Sequence, residues 1–120
     1  MANDWGDNIL LSHLADEPEL SDEFVSIFAA LAEKPSRNVV LDFGAVSYLN
    51  SSHLAQLLRL RKLLSESGGV LVLCAMNDDT RSVMRLSRLD SLFRFADDPL
   101  TALAGLQIEQ ASGDDTPASA

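Results

Sequence analysis

Residues 41–54 read Leu41-Asp42-Phe43-Gly44-Ala45-Val46-Ser47-Tyr48-Leu49-Asn50-Ser51-Ser52-His53-Leu54, and they carry the chain from one periodicity into another. Just upstream and into this run, residues 38–43 (NVVLDF) are β-branched and almost continuously apolar, the pattern of a strand buried on both faces. Downstream, residues 51–67 hold leucines at 54, 57, 58, 60, 63 and 64, a helical spacing closed by Gly68-Gly69. Residues 70–74 (VLVLC) then return to a second buried strand. Strand, helix and strand in that order predict a parallel pair joined by a right-handed crossover. Ser51 and Ser52 thereby fall at the start of a helix, just beyond the carboxyl end of a strand, where open α/β sheets bind ligands. Free N–H groups and the helix dipole make such a start hospitable to an anion, including a phosphate attached to a serine. The same residues also suit plain capping by Asn50 or Ser51, worth about 0.5–2 kcal/mol.

The alternation extends in both directions. Residues 8–14 (NILLSHL) read as a strand, and 15–20, acidic and interrupted by Pro18, as a loop. Ser21 offers an N-cap oxygen ahead of Phe24, Ile27, Phe28 and Leu31, which share one helix face. Asn77 caps a third helix running to about Leu89, residues 93–96 form a short strand, and Pro99 opens a last helix to about Glu109. One domain over residues 1–109 and a frayed or disordered acidic tail over 110–120 are expected. Trp5 lies in a polar N-terminal stretch and is expected to be loosely held. The whole is a small α/β layer fold.

Eighteen acids and nine bases leave a net charge of −9, which argues against a nucleic-acid partner and against an anionic membrane surface. The charge is uneven. Residues 1–33 contain eight acids and no base, whereas 34–98 hold all nine bases against seven acids. Arg81, Arg85 and Arg88 are spaced to form a basic stripe on the third helix, either a solvated face or a docking surface for an acidic partner. The helix from Ser51 has more leucines than one buried stripe requires, so some are expected on a partner surface beside Ser51 unless the helix is fully covered.

Nothing in the chain points to catalysis. No glycine-rich nucleotide cradle is present, and His13, His53 and Cys74 show no metal-ligand spacing. No cofactor is therefore expected, and the chain is read as a non-enzyme. The lone Cys74, within VLVLC, reads as inert core and fits a reducing cytosol. The longest apolar run, residues 68–76, is far too short for a membrane span, and a cytoplasmic location is expected.

Residues 41–58 (LDFGAVSYLNSSHLAQLL) resemble the signature of the STAS domain, specifically of bacterial anti-sigma-factor antagonists. In that family a strand ending Leu-Asp-(Leu/Phe) is followed by Val-(Ser/Thr)-(Phe/Tyr)-(Leu/Met)-Asp-Ser-(Ser/Thr)-Gly-Leu. The resemblance implies a small mixed sheet of about four to five strands with about four helices. It also implies a partner switch: the unphosphorylated antagonist binds a serine kinase that is itself the anti-sigma factor, phosphorylation of one serine ends that binding, and a PP2C-type phosphatase restores it. The matching phosphoacceptor is Ser51, with Ser52 as the runner-up. Asn50, Ser52, His53 and Leu54, with Arg81, Arg85 and Arg88, are the expected partner contacts. Two positions depart from the motif: Asn50 stands for the family's Asp, and His53 for its Gly. His53 is expected either to donate to a phosphate or to obstruct a partner. These departures suit an alternative, a constitutive unphosphorylated STAS subunit of a lipid-transport ABC complex or a larger signalling assembly. A small-ligand sensor at the same helix start is a third, weaker reading.

Overall fold

Val39, Val40 and Leu41 are all fully buried, yet they face opposite ways, and this alternation organises the domain. In the computed structural model, the described residues are 2–5, 8–35 and 37–115, with side chains described for 8–35 and 37–109. The elements are β1 (Ala2–Trp5), β2 (Ile9–Ala15), α1 (Glu19–Glu33), β3 (Asn38–Ala45), α2 (Ser51–Glu66), β4 (Leu71–Cys74), α3 (Asp78–Leu86), a 3-10 turn (Asp90–Leu92), β5 (Arg94–Ala96) and α4 (Pro99–Asp115). The sheet runs β1-β2-β3-β4-β5, antiparallel at the first pair and parallel thereafter.

Each parallel connection steps to the next strand in the same direction, so crossovers of one hand place all their helices on one face. Leu20, Phe24, Ile27 and Leu31 of α1, Leu57, Leu60 and Leu64 of α2, and Met84 of α3 accordingly pack with Leu10, Leu14, Val39, Leu41, Phe43, Leu71 and Leu73. The opposite face, with Ile9, Leu11, Val40, Val72 and Cys74, is covered by Ala102, Leu103 and Leu106 of α4. Cys74 is inert core as expected: its thiol donates to the Leu41 carbonyl at 3.4 Å, and burial pushes its pKa up to about 12.

Four boundaries differ from the sequence reading. Residues 2–5 form a strand, because pairing with β2 overrides a composition poor in strand formers; the Trp5 side chain lies outside the described residues. α1 starts at Glu19 behind Pro18, not behind Ser21. Pro18 is already near helical φ, and the Glu17 carboxylate caps from outside by accepting the Ser21 N–H at 3.2 Å. α4 runs to Asp115 where the sequence reading stopped near Glu109, since no proline intervenes before position 117. The rest of the expected tail, 116–120, lies outside the described residues.

The fourth difference bears on the arginine stripe. α3 ends at Leu86, and Arg88 sits beyond it with φ 60. Arg88 N–H donates to the Arg85 carbonyl at 3.0 Å and Leu89 N–H to the Met84 carbonyl at 2.8 Å, a Schellman closure that needs a left-handed residue at position 88. The stripe therefore has two helical members, not three. An L-residue is strained there and glycine is not, so Arg88→Gly is expected to stabilise by about 0.5–1 kcal/mol, read as a higher urea midpoint.

Candidate functional site

The connection from β3 to α2 is held from below and from one side. Val46 and Leu49 are buried, and the Asn77 amide donates to the Val46 carbonyl at 3.3 Å. The Asp16 carboxylate accepts the Ser47 N–H at 2.9 Å and the Ser47 hydroxyl at 2.6 Å. These bonds, the hydroxyl first, hold the Asp16 carboxyl below its ordinary value. The β2–α1 and β3–α2 loops are thus stitched together at the carboxyl end of the sheet.

α2 then opens with a reciprocal cap. Asn50 Oδ1 accepts the His53 N–H at 3.0 Å, and His53 Nδ1 accepts the Asn50 N–H at 3.1 Å. This is a capping box in which a histidine ring takes the place of the usual Glu or Gln. The two departures from the family motif are therefore each other's partners. A glycine at 53 has no side chain with which to close the box.

Because Nδ1 accepts, the ring hydrogen lies on Nε2, which donates to Glu17 Oε2 at 2.6 Å. The same carboxylate oxygen accepts the Ser21 hydroxyl at 2.6 Å. The Ser21 hydroxyl, then His53, lower the Glu17 carboxyl below its ordinary value. His53 is 3% exposed with both ring nitrogens engaged inside the protein, so the ring faces inward and has no free nitrogen to donate to a phosphate.

Ser51, the first residue of α2, and Ser52 are exposed, and neither hydroxyl has a hydrogen-bond partner among the described residues. Tyr48, 64% exposed, lies on the same connection. No acidic residue of α2 itself sits in its first turn, so nothing on that helix offsets the positive end of the dipole. Asn50 and Leu54 are half-buried, the latter against the core. Of the surplus α2 leucines, Leu58 and Leu63 are exposed.

The arginines lie elsewhere. Arg81 stacks over Phe95 at 4.3 Å and Arg85 donates to the Ser82 hydroxyl, so their contacts tie them to β5 and to α3, not to the α2 start.

Asp16, Glu17 and Ser21 were missed by the sequence reading, which took 15–20 for a plain acidic loop and Ser21 for a cap. The roles of Asp16 and Glu17 depend on contacts 31 and 36 residues away in the chain, and Ser21 joins them only through its bond to Glu17. No local spacing encodes such contacts. His13 pairs with Asp42 at 2.6 Å, across β2 and β3, at register partners. No group of three or more His, Cys, Asp or Glu suited to a metal occurs among the described residues, and no helix there is long and apolar enough to cross a membrane.

A five-stranded mixed sheet with three helices on one face, one on the other, and a serine-bearing helix start beyond β3 is the architecture of a STAS-type domain. The sequence profile of the STAS domain matches residues 17–102, and the chain belongs to this family, among the anti-sigma-factor antagonists. BtrV of Bordetella bronchiseptica, whose name places it with the anti-sigma factor antagonists, is 35% identical over 79 residues, spanning 66% of this chain and 68% of its own. An anti-sigma-factor antagonist (STAS) domain protein from Planctomyces limnophilus superposes with a TM-score of 0.75 at 19% identity, covering 89% of this chain and 97% of that one. The Bacillus cell fate determinant SpoIIAA in its phosphorylated form superposes with a TM-score of 0.69 at 16% identity, covering 88% and 97%. At these identities the two structures speak for the fold.

Proposed function

We propose that this chain is the non-enzymatic antagonist of a partner-switching system: it binds a serine-kinase anti-sigma factor, is phosphorylated by it at Ser51, and is restored by a PP2C-type phosphatase. The observation that carries this reading is the Ser51 hydroxyl, exposed and unengaged on the first turn of a helix whose start is pinned by Val46, Leu49, Asp16 and the Asn50–His53 box. Such a nucleophile needs no local rearrangement to reach a kinase active site. A phosphate there adds about −1.5 to −2 charges at the contact surface, enough for repulsion and desolvation to expel a partner.

Incubating the full chain with its kinase and ATP is expected to add one phosphate, absent in Ser51→Ala and retained in Ser52→Ala. A phosphate that survives Ser51→Ala and vanishes in Ser52→Ala moves the acceptor by one residue. An unmodified wild type that co-purifies with a transporter ATPase selects the constitutive-subunit reading. That reading draws its support from the uncharged Asn50, which lacks the carboxylate the family carries beside its acceptor serine.

A further inference from the structure

Two hollows line the seam between α1 and α2. One, of about 310 Å³, is bounded by Ser21, Phe24, Val25, Phe28, Ser52, His53, Gln56 and Arg59. The other, of about 250 Å³, is bounded by Phe28, Arg59, Lys62, Leu63 and Glu66. They share Phe28 and Arg59, so they form one groove. On the α2 side Ser52, Gln56, Arg59 and Leu63 recur at helical spacing, a wall from residue 52 to residue 63 of roughly 17 Å at the helical rise, the length of a three-turn helix.

The chemistry of the groove is unlike that of the molecule. Its α1 wall (Ser21, Phe24, Val25, Phe28) carries no charge, and Val25 is 69% exposed. Arg59 and Lys62 are opposed by Glu66 as the single acid of the lining, in a chain whose net charge is −9. Arg59 stacks over Phe28 at 4.9 Å, which pre-orders an exposed guanidinium fork of the kind that takes a carboxylate in bidentate fashion. At its upper end the groove is closed by Ser52 and His53, one and two residues after Ser51.

We infer that this groove receives an acidic amphipathic helix of the anti-sigma factor, its apolar stripe on Val25, Phe28 and Leu63 and a carboxylate on Arg59. The inference rests on the antagonist function proposed above and adds a mechanism to it. A helix seated there ends against the phosphoacceptor turn, so a phosphate on Ser51 confronts an acidic segment directly.

The test uses the full chain and a pair of labelled three-turn peptides, apolar at i, i+4 and i+7, one with Glu and one with Lys at the positions facing Arg59. The Glu peptide is expected to shift the amide resonances of Val25, Phe28 and Leu63. Its affinity should fall roughly tenfold or more in Arg59→Glu, and also as salt is raised. Val25→Asp, at a solvent-facing position, should weaken both peptides without lowering the melting temperature. Equal binding of the two peptides, shifts confined to Arg81 and Arg85, or no shift at about millimolar peptide overturns the inference. Concentration-dependent shifts of the same amides in the free chain overturn it too, by making a second copy the occupant. Ser51 phosphorylation without groove binding removes the groove and leaves the switch; groove binding without phosphorylation does the reverse.

Discussion

Gly69→Ala is expected to lower the stability of this domain by about 3 kcal/mol, at the upper end of ordinary overpacking, while Gly68→Ala next to it lowers it by only about 1 kcal/mol. The two glycines end α2 together but for different reasons. Gly68 has φ +83 with open space where a Cβ would stand, so alanine there meets conformational strain alone. Gly69 has its N–H on the Leu64 carbonyl at 2.7 Å, and a Cβ on it would stand 2.2 Å from the Arg37 carbonyl oxygen. The obstacle is backbone on the segment leading into β3, so no side-chain rotation relieves it. Urea denaturation of the two variants, measured side by side, is expected to separate them clearly; equal midpoints would mean the α2–β4 junction relaxes freely.

His53→Ala is expected to destabilise by roughly 2–4 kcal/mol, combining a cavity with a lost cap and a lost buried hydrogen bond. His53→Gly, which restores the family's residue, should do no better, because the Asn50 N–H again loses its acceptor. Amide exchange at residues 51–54 should quicken in both variants. The linked pH effect has a definite sign. Asp16 and Glu17 have folded-state values depressed below 3.8 and 4.5, so their contribution is complete above those values and is lost as pH falls through the folded ones. Wild-type stability should therefore drop below about pH 4.5, and Glu17→Gln should flatten that drop. In His53→Ala the Ser21 hydroxyl remains on Glu17, so part of the acid sensitivity should persist.

Most of the framework was legible because it is local. The runs at 38–43 and 70–74, the leucine spacing of α2 and the Asn50 and Asn77 caps each declare themselves within a few residues, and all appear where the pattern put them. The site was legible by halves. The position of Ser51 at a helix start followed from spacing, but the inward turn of His53 did not, because it depends on Glu17 from a distant loop. Arg88 misled for the opposite reason: its spacing suited a helix face, yet Leu89 is drawn back into the core and turns the chain at 88. β1 was invisible since its partner, not its own sequence, makes it a strand.

The single helix on the back of the sheet has a bearing on how the chain is made. Each of β2 to β5 can be added beside its predecessor as it emerges from the ribosome, with α1, α2 and α3 covering the front as synthesis proceeds. The back has no cover until Ala102, Leu103 and Leu106 have been synthesised. Until then Ile9, Leu11, Val40 and Val72 face water as an apolar surface on a nearly finished sheet, the sort of surface that chaperones and aggregation compete for. The docking of α4 is thus the step that takes this apolar layer out of water.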